Sequence, residues 1–102
     1  MVNFDVYENL DPQSNKVNPF FLDVQSTLLK DLSTRLVIPL MDSRHIHTPI
    51  DRINPCLVIN KQKLYLATTQ LGSVHVKSLG KKIASVDDDN GNISTAINFV
   101  LA

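Results

Sequence analysis

The chain has 102 residues, room for one domain with a single modest core. Ten Lys and Arg balance ten Asp and Glu, so no strong field draws in nucleic acid or an anionic membrane, and a protein partner is favoured over direct nucleic-acid binding. A lone cysteine fits a reducing compartment, no apolar run reaches the ~20 residues of a membrane span, and "MVNFDVYEN" is not a signal peptide, so a cytoplasmic protein is expected.

"VNFDVYE" alternates, with Val2, Phe4 and Val6 on one side and Asn3, Asp5 and Tyr7 on the other, which predicts a half-buried strand. "NLDPQSNKVNP" is rich in Asn, Pro and Ser and reads as an exposed loop. "FFLDVQS" predicts a second strand, Phe21 facing away from Leu22 and Val24. "RLVIPL" is a continuous apolar run of the kind buried on both faces, and Pro39, lacking an N–H, is expected at a strand end, an edge or a bulge. "CLVIN" and "KLYLATT" predict a hairpin turning around Asn60 to Lys63. "SVHVKSLG" supplies a sixth strand with Val74 and Val76 inward and Gly80 ending it.

The last segment is the one confident helix. Ile93, Ala96, Ile97, Val100 and Leu101 form one continuous stripe, capped at its start by Asp87 or by Asn92. Acids near that start suit the helix dipole. Ile97, Val100 and Leu101 are read as its buried face, whereas Phe99 falls off the stripe and is offered to a partner or a second subunit. About six short strands and one helix lying across them make a mainly β, barrel-like or α+β domain. Apolar Val100 and Leu101 in so short a chain suggest a homodimer that covers them across a two-fold axis.

Chemistry is sparse. His45 and His47 in "RHIHTP" share one side of an extended segment, but two imidazoles without a further ligand rarely hold a metal, so they read as loop histidines and no metal or other cofactor is expected. "VDDDNGN" fails the calcium-loop pattern, because Gly91 at the sixth position puts Val86 first and Ile97 twelfth. Cys56 lies in an apolar strand and reads as a buried, inert thiol. Ser26 has no nucleophile-elbow glycines, and without family information reads as a turn serine, with Leu28 a core leucine. No catalytic residues emerge, and function by elimination falls to a protein surface.

Four segments carry a family resemblance. "FFLDVQSTLLKDLSTRLVIPL", Phe20 to Leu40, is similar to the CcdB toxin family, with its F-x-D-V-Q-S segment and V-I-P-L strand. "NFDVYEN" resembles that family's first strand, "TTQLGSVHVKSLG" its T-T-x-x-x-S-V-P-V segment, and "AINF" the A-I-N-L of its final helix. The matches keep the family's order and near-constant spacing. They imply a single CcdB-like domain over residues 1–102, mainly β with one C-terminal helix, an SH3-like barrel shared with ribonuclease toxins of the MazF type. They further imply a non-enzymatic homodimeric toxin, held by a CcdA-like antitoxin, that binds the A subunit of DNA gyrase and traps the cleaved gyrase–DNA complex in plasmid maintenance. The gyrase surface carried over is Ser26, Leu28 and Asn98, with Leu101 and Ala102 at the tip. Two departures accompany it: His75 replaces the proline of S-V-P-V, and Leu101 and Ala102 stand where the family helix reads Phe-Trp before Gly-Ile. Weakened poisoning is therefore expected. The alternatives are a non-toxic homologue that binds only the antitoxin and, less favoured, a MazF-like ribonuclease.

Overall fold

In a computed structural model, which describes residues 2–101, seven strands join in one antiparallel sheet. They are β1 (Asp5–Asn9), β2 (Phe20–Asp23), β3 (Thr34–Asp42), β4 (Cys56–Ile59), β5 (Gln62–Leu66), β6 (Gly72–His75) and β7 (Leu79–Ser85). A single helix, α1 (Asn90–Leu101), closes the chain. The sheet runs β4-β5-β3-β2-β1-β7, and β6 joins the free half of β3. It curls into a half-barrel around Val6, Leu22, Ile38, Leu40, Leu57, Ile59, Leu64 and Leu66, against which α1 sets Ile93 and Ala96. Burying each large aliphatic side chain of this set contributes about 1.5–3 kcal/mol.

The strands follow the alternation where it is strict and depart from it where local chemistry intervenes. β1 was expected from Val2, yet it begins at Asp5 because Phe4 adopts a left-handed backbone with φ 53°. Phe4 nonetheless faces the core, and its carbonyl accepts the Val86 N–H at 3.0 Å. The single strand expected over "SVHVKSLG" is two. The His75 imidazole accepts the Lys77 N–H at 3.1 Å and nucleates a 3-10 turn at Val76–Ser78 that separates β6 from β7. Gly80 does not end a strand but sits inside β7, where a Cβ would lie 2.8 Å from Leu10 Cδ2 and 3.0 Å from Glu8 Cβ, so its missing side chain admits β1. The remainder of β7, "KKIAS", is a strand that the sequence reading did not anticipate.

Pro39 lies neither at an end nor at an edge, but inside the central strand β3. The Val24 N–H donates to Leu36 O at 3.0 Å, and the antiparallel alternation then turns the Pro39 nitrogen away from β2. On that side β6 pairs with Thr34–Val37 and β5 with Leu40–Asp42. The proline falls in the gap between them, where no ladder bond needs its N–H.

The β4–β5 hairpin turns on Asn60 and Lys61, both left-handed at φ 52° and 66°. That is the two-residue arrangement that favours Asn-Gly. Lys61→Gly removes the Cβ clash at the second position, so we expect stabilisation of about 0.5–1 kcal/mol, read as a melting temperature a few degrees higher.

At the end of β3, the buried Asp42 accepts Arg44 N, Nε and Nη2 at 3.0, 3.1 and 2.9 Å, and Gln62 Nε2 at 3.3 Å. The Arg44 side-chain bonds hold this carboxyl down at about 2. A carboxyl depressed in the fold stabilises it above the unfolded value, near 3.9, and loses that contribution as pH falls through the folded one. The stability gap between the parent chain and Asp42→Asn should therefore be full at neutral pH and close between about pH 4 and pH 2 in thermal melts.

Ahead of α1, Asp87–Asp89 form a 3-10 turn that runs into the helix. Asp87 lies inside that turn and Asn92 inside α1, so neither holds the capping position expected of it. The stripe is also shorter than expected. Ile93 and Ala96 are fully covered and Ile97 partly, but Leu101 is 67% exposed because only the first turns of α1 rest on the half-barrel. Cys56, expected to be buried, is exposed: β4 turns Leu57 and Ile59 inward and therefore Cys56 and Val58 outward. Four apolar residues in a row conceal that alternation. No helix among the described residues is long and apolar enough to cross a membrane, and they contain no group of three His, Cys, Asp or Glu able to hold a metal.

Candidate functional site

Between β2 and β3 the chain makes a 3-10 turn, Thr27–Leu29, started by Ser26, whose hydroxyl accepts the Leu28 N–H at 3.2 Å. The buried Gln25 side chain braces this turn at two points. Its amide donates to Leu29 O at 2.8 Å and its carbonyl accepts the Leu36 N–H at 3.0 Å. Arg35 Nη2 adds a bond to Lys30 O at 3.2 Å. The brace holds Leu28 out in solvent, 87% exposed, the most exposed of the large apolar side chains among the described residues. Leu29 and Leu32 beside it are half exposed. Exposed leucines grouped on and beside one hydrogen-bonded turn make this a candidate protein contact surface.

A second exposed group lies at the far end of α1. Asn98, Phe99 and Leu101 all face solvent. The Arg52 guanidinium, on a left-handed residue with φ 72°, sits 5.6 Å from the Phe99 ring centre, a cation–π contact between the loop before β4 and the helix. Among the described residues, no hydrogen bond or ion pair joins this group to the Thr27–Leu29 turn. Ala102 lies outside the described residues.

The outer face of β1, β2 and β3 carries a polar cavity of about 130 Å³, lined by Asn3, Asp5, Tyr7, Asp23, Gln25, Thr27, Lys30 and Arg35. Asp23 Oδ2 lies 3.6 Å from Arg35 Nη1, and Asp5 Oδ1 3.4 Å from Lys82 Nζ. Burial raises the Asp23 carboxyl above its ordinary value, although the Gln25 N–H and Arg35 oppose the rise. Burial also raises the Tyr7 hydroxyl, with the Asp5 and Asp23 charges adding to it. Thr27 and Lys30 make this cavity continuous with the leucine turn.

A family model described as the CcdB protein matches residues 3–102. The chain belongs to the CcdB family. It is thus a toxin-family protein of the toxin–antitoxin type. In fold, the chain is similar to a mycobacterial endoribonuclease solved with its cognate antitoxin, at a TM-score of 0.73 and 12% identity, over 99% of this chain and 94% of that one. A second mycobacterial endoribonuclease matches at 0.71 and 12% identity, over 99% and 90%. At such identity the likeness concerns the fold, and it agrees with the barrel-type architecture with one terminal helix that the CcdB-like motifs imply.

Within this CcdB-family fold, Ser26 and Leu28 share one rigid turn, and Asn98 and Leu101 share one helix end. Leu28 is surface, not core. The D-V-Q-S motif gains a local reason: Asp23 Oδ1 takes the Gln25 N–H at 2.9 Å, Gln25 braces the turn, and Ser26 starts it. Sequence reasoning missed Leu29 and Leu32 as surface residues, and it missed the cavity. The outward positions of Asp5, Tyr7 and Asp23 were legible from alternation, but their convergence depends on strand register.

Proposed function

We propose that this chain is a cytoplasmic, single-domain, non-enzymatic toxin that binds the A subunit of DNA gyrase as a homodimer and traps the cleaved gyrase–DNA complex. A CcdA-like antitoxin holds it in check. The observation that carries the reading is the braced, solvent-facing Leu28 beside Ser26, at the position where the resemblance places a gyrase contact. Family membership supports the toxin class, and the exposed Leu101 on α1 leaves apolar surface for a second subunit or the target to cover. The test is expression in a gyrase-sensitive host and in the same host carrying an altered gyrase A. Killing that the altered subunit relieves supports the reading; killing that it does not relieve removes it. Sedimentation at micromolar concentration should give a dimer.

One residue favours a second reading, a homologue that binds antitoxin but poisons weakly. Ala102 replaces the tryptophan of the family helix, and a methyl group cannot supply the aromatic anchor common in interface hot spots. Harmless expression together with antitoxin binding identifies that case, and Ala102→Trp should then raise gyrase affinity. Cleavage of purified RNA would instead favour the ribonuclease reading.

A further inference from the structure

From Asp23 to Leu36 the chain has one buried residue, Gln25. The 3-10 turn Thr27–Leu29 buries none, and Lys30 to Thr34 are all exposed. The hydrophobic effect therefore does not hold this turn. It favours a collapse that would hide Leu28, Leu29 and Leu32, which stand out in water instead. A loop without core contacts is ordinarily mobile. What fixes this one is polar, and it starts from a single carboxylate.

Asp23 ends β2, paired with Val37 of β3. Its two oxygens serve two arms. Oδ1 accepts the Gln25 N–H at 2.9 Å, and the Gln25 side chain then crosses the loop, donating to Leu29 O at 2.8 Å and accepting the Leu36 N–H at 3.0 Å. Oδ2 faces Arg35 Nη1 at 3.6 Å, and Nη2 of the same guanidinium donates to Lys30 O at 3.2 Å. Both arms finish on the carbonyls where the turn ends, while Ser26 Oγ holds its start. The Asp23 side chain is only 13% exposed, and covered ion pairs add little net stability. What this pair supplies is direction. A planar guanidinium spans the carboxylate and Lys30 O at a fixed separation, which a lysine ammonium does less well.

We propose that Asp23 and Gln25 are positioning residues for partner binding: neither touches the partner, and together they hold residues 26–30 in the binding shape before the partner arrives. The role rests on the reading of Leu28 as a gyrase A contact, and it adds the reason that a single turn can bind well. A leucine on a mobile loop has to be ordered on binding, which weakens the complex, whereas one on a turn already ordered by the fold does not.

Two measurements test this. On the unaltered free chain, amide nitrogen relaxation should give Leu28 and Leu29 order parameters like those of β3, about 0.85, and Gln25→Met should lower them below about 0.6 with β3 unchanged. A turn that is already mobile in the unaltered chain overturns the proposal, whether or not the variant folds, and so does a turn that stays rigid in Gln25→Met. The second measurement is a double-mutant cycle on gyrase A affinity, with Gln25→Met made in the parent and in Leu28→Ala. A residue that acts through Leu28 should cost about tenfold or more in the parent and less than about threefold once the leucine is gone. Asp23→Ala should follow the same pattern, and Asp23→Asn should recover part of the loss, because its amide oxygen can still accept the Gln25 N–H. Equal losses in both backgrounds, or none in either, reject the positioning role and leave Leu28 standing as a contact. Parent-like affinity in Leu28→Ala removes the contact and the positioning role together.

Discussion

Leu28→Asp should abolish binding to gyrase A without disturbing the fold. The parent side chain is 87% exposed and contributes nothing to the core, so the melting temperature should stay close to that of the parent. The turn that carries it is held by Gln25 and Ser26, neither of which depends on the leucine side chain. At a small interface, a central apolar contact is commonly worth about 2 kcal/mol or more, roughly a thirtyfold change in affinity. Replacing it with a carboxylate adds the cost of burying an unpaired charge. Calorimetric titration with gyrase A, alongside a thermal melt, reads both quantities. Unchanged affinity removes Leu28 from the site.

The second large effect concerns stability. Ile93→Ala should cost about 2–5 kcal/mol, because Ile93 is the larger of the two fully buried side chains by which α1 is pinned to the half-barrel. Ala96 is the other fully covered contact, and its methyl group cannot replace the loss. We expect amide exchange to accelerate first along Asn90–Leu101 and later in β3, whose ladders lie on both of its sides. Equal acceleration in helix and strands would instead mean that helix and barrel open as one unit.

How much of this was legible in the sequence depends on how each residue expresses its environment. β2, β3 and the β4–β5 hairpin were readable because Leu22, Ile38, Leu40 and Leu64 stand in patterns with one explanation. The break between β6 and β7 was not, because it depends on an imidazole accepting a backbone N–H, and His75 carries no such mark in composition. Cys56 and Leu101 were misjudged for a common reason: an apolar residue records a preference for burial, but not whether another element lies over it. For Leu28 the residue pattern alone suggested core, and only the family resemblance marked it as surface. Asp5 and Asp23 could be placed on outward faces, whereas their meeting required the register that folding supplies.

The pairing of β1 with β7 bears on how the molecule assembles. Lys81 N–H reaches Glu8 across 73 positions of sequence, and Ser85 Oγ reaches the Asn3 carbonyl across 82. Every other strand pair joins segments much closer along the chain. Closing so long a loop spends chain entropy before any contact returns it, so this seam should zip last and set the refolding rate. Until it does, β1 and β7 expose open edges, which makes the interval before closure the time when the nascent toxin is most prone to aggregate or to be degraded.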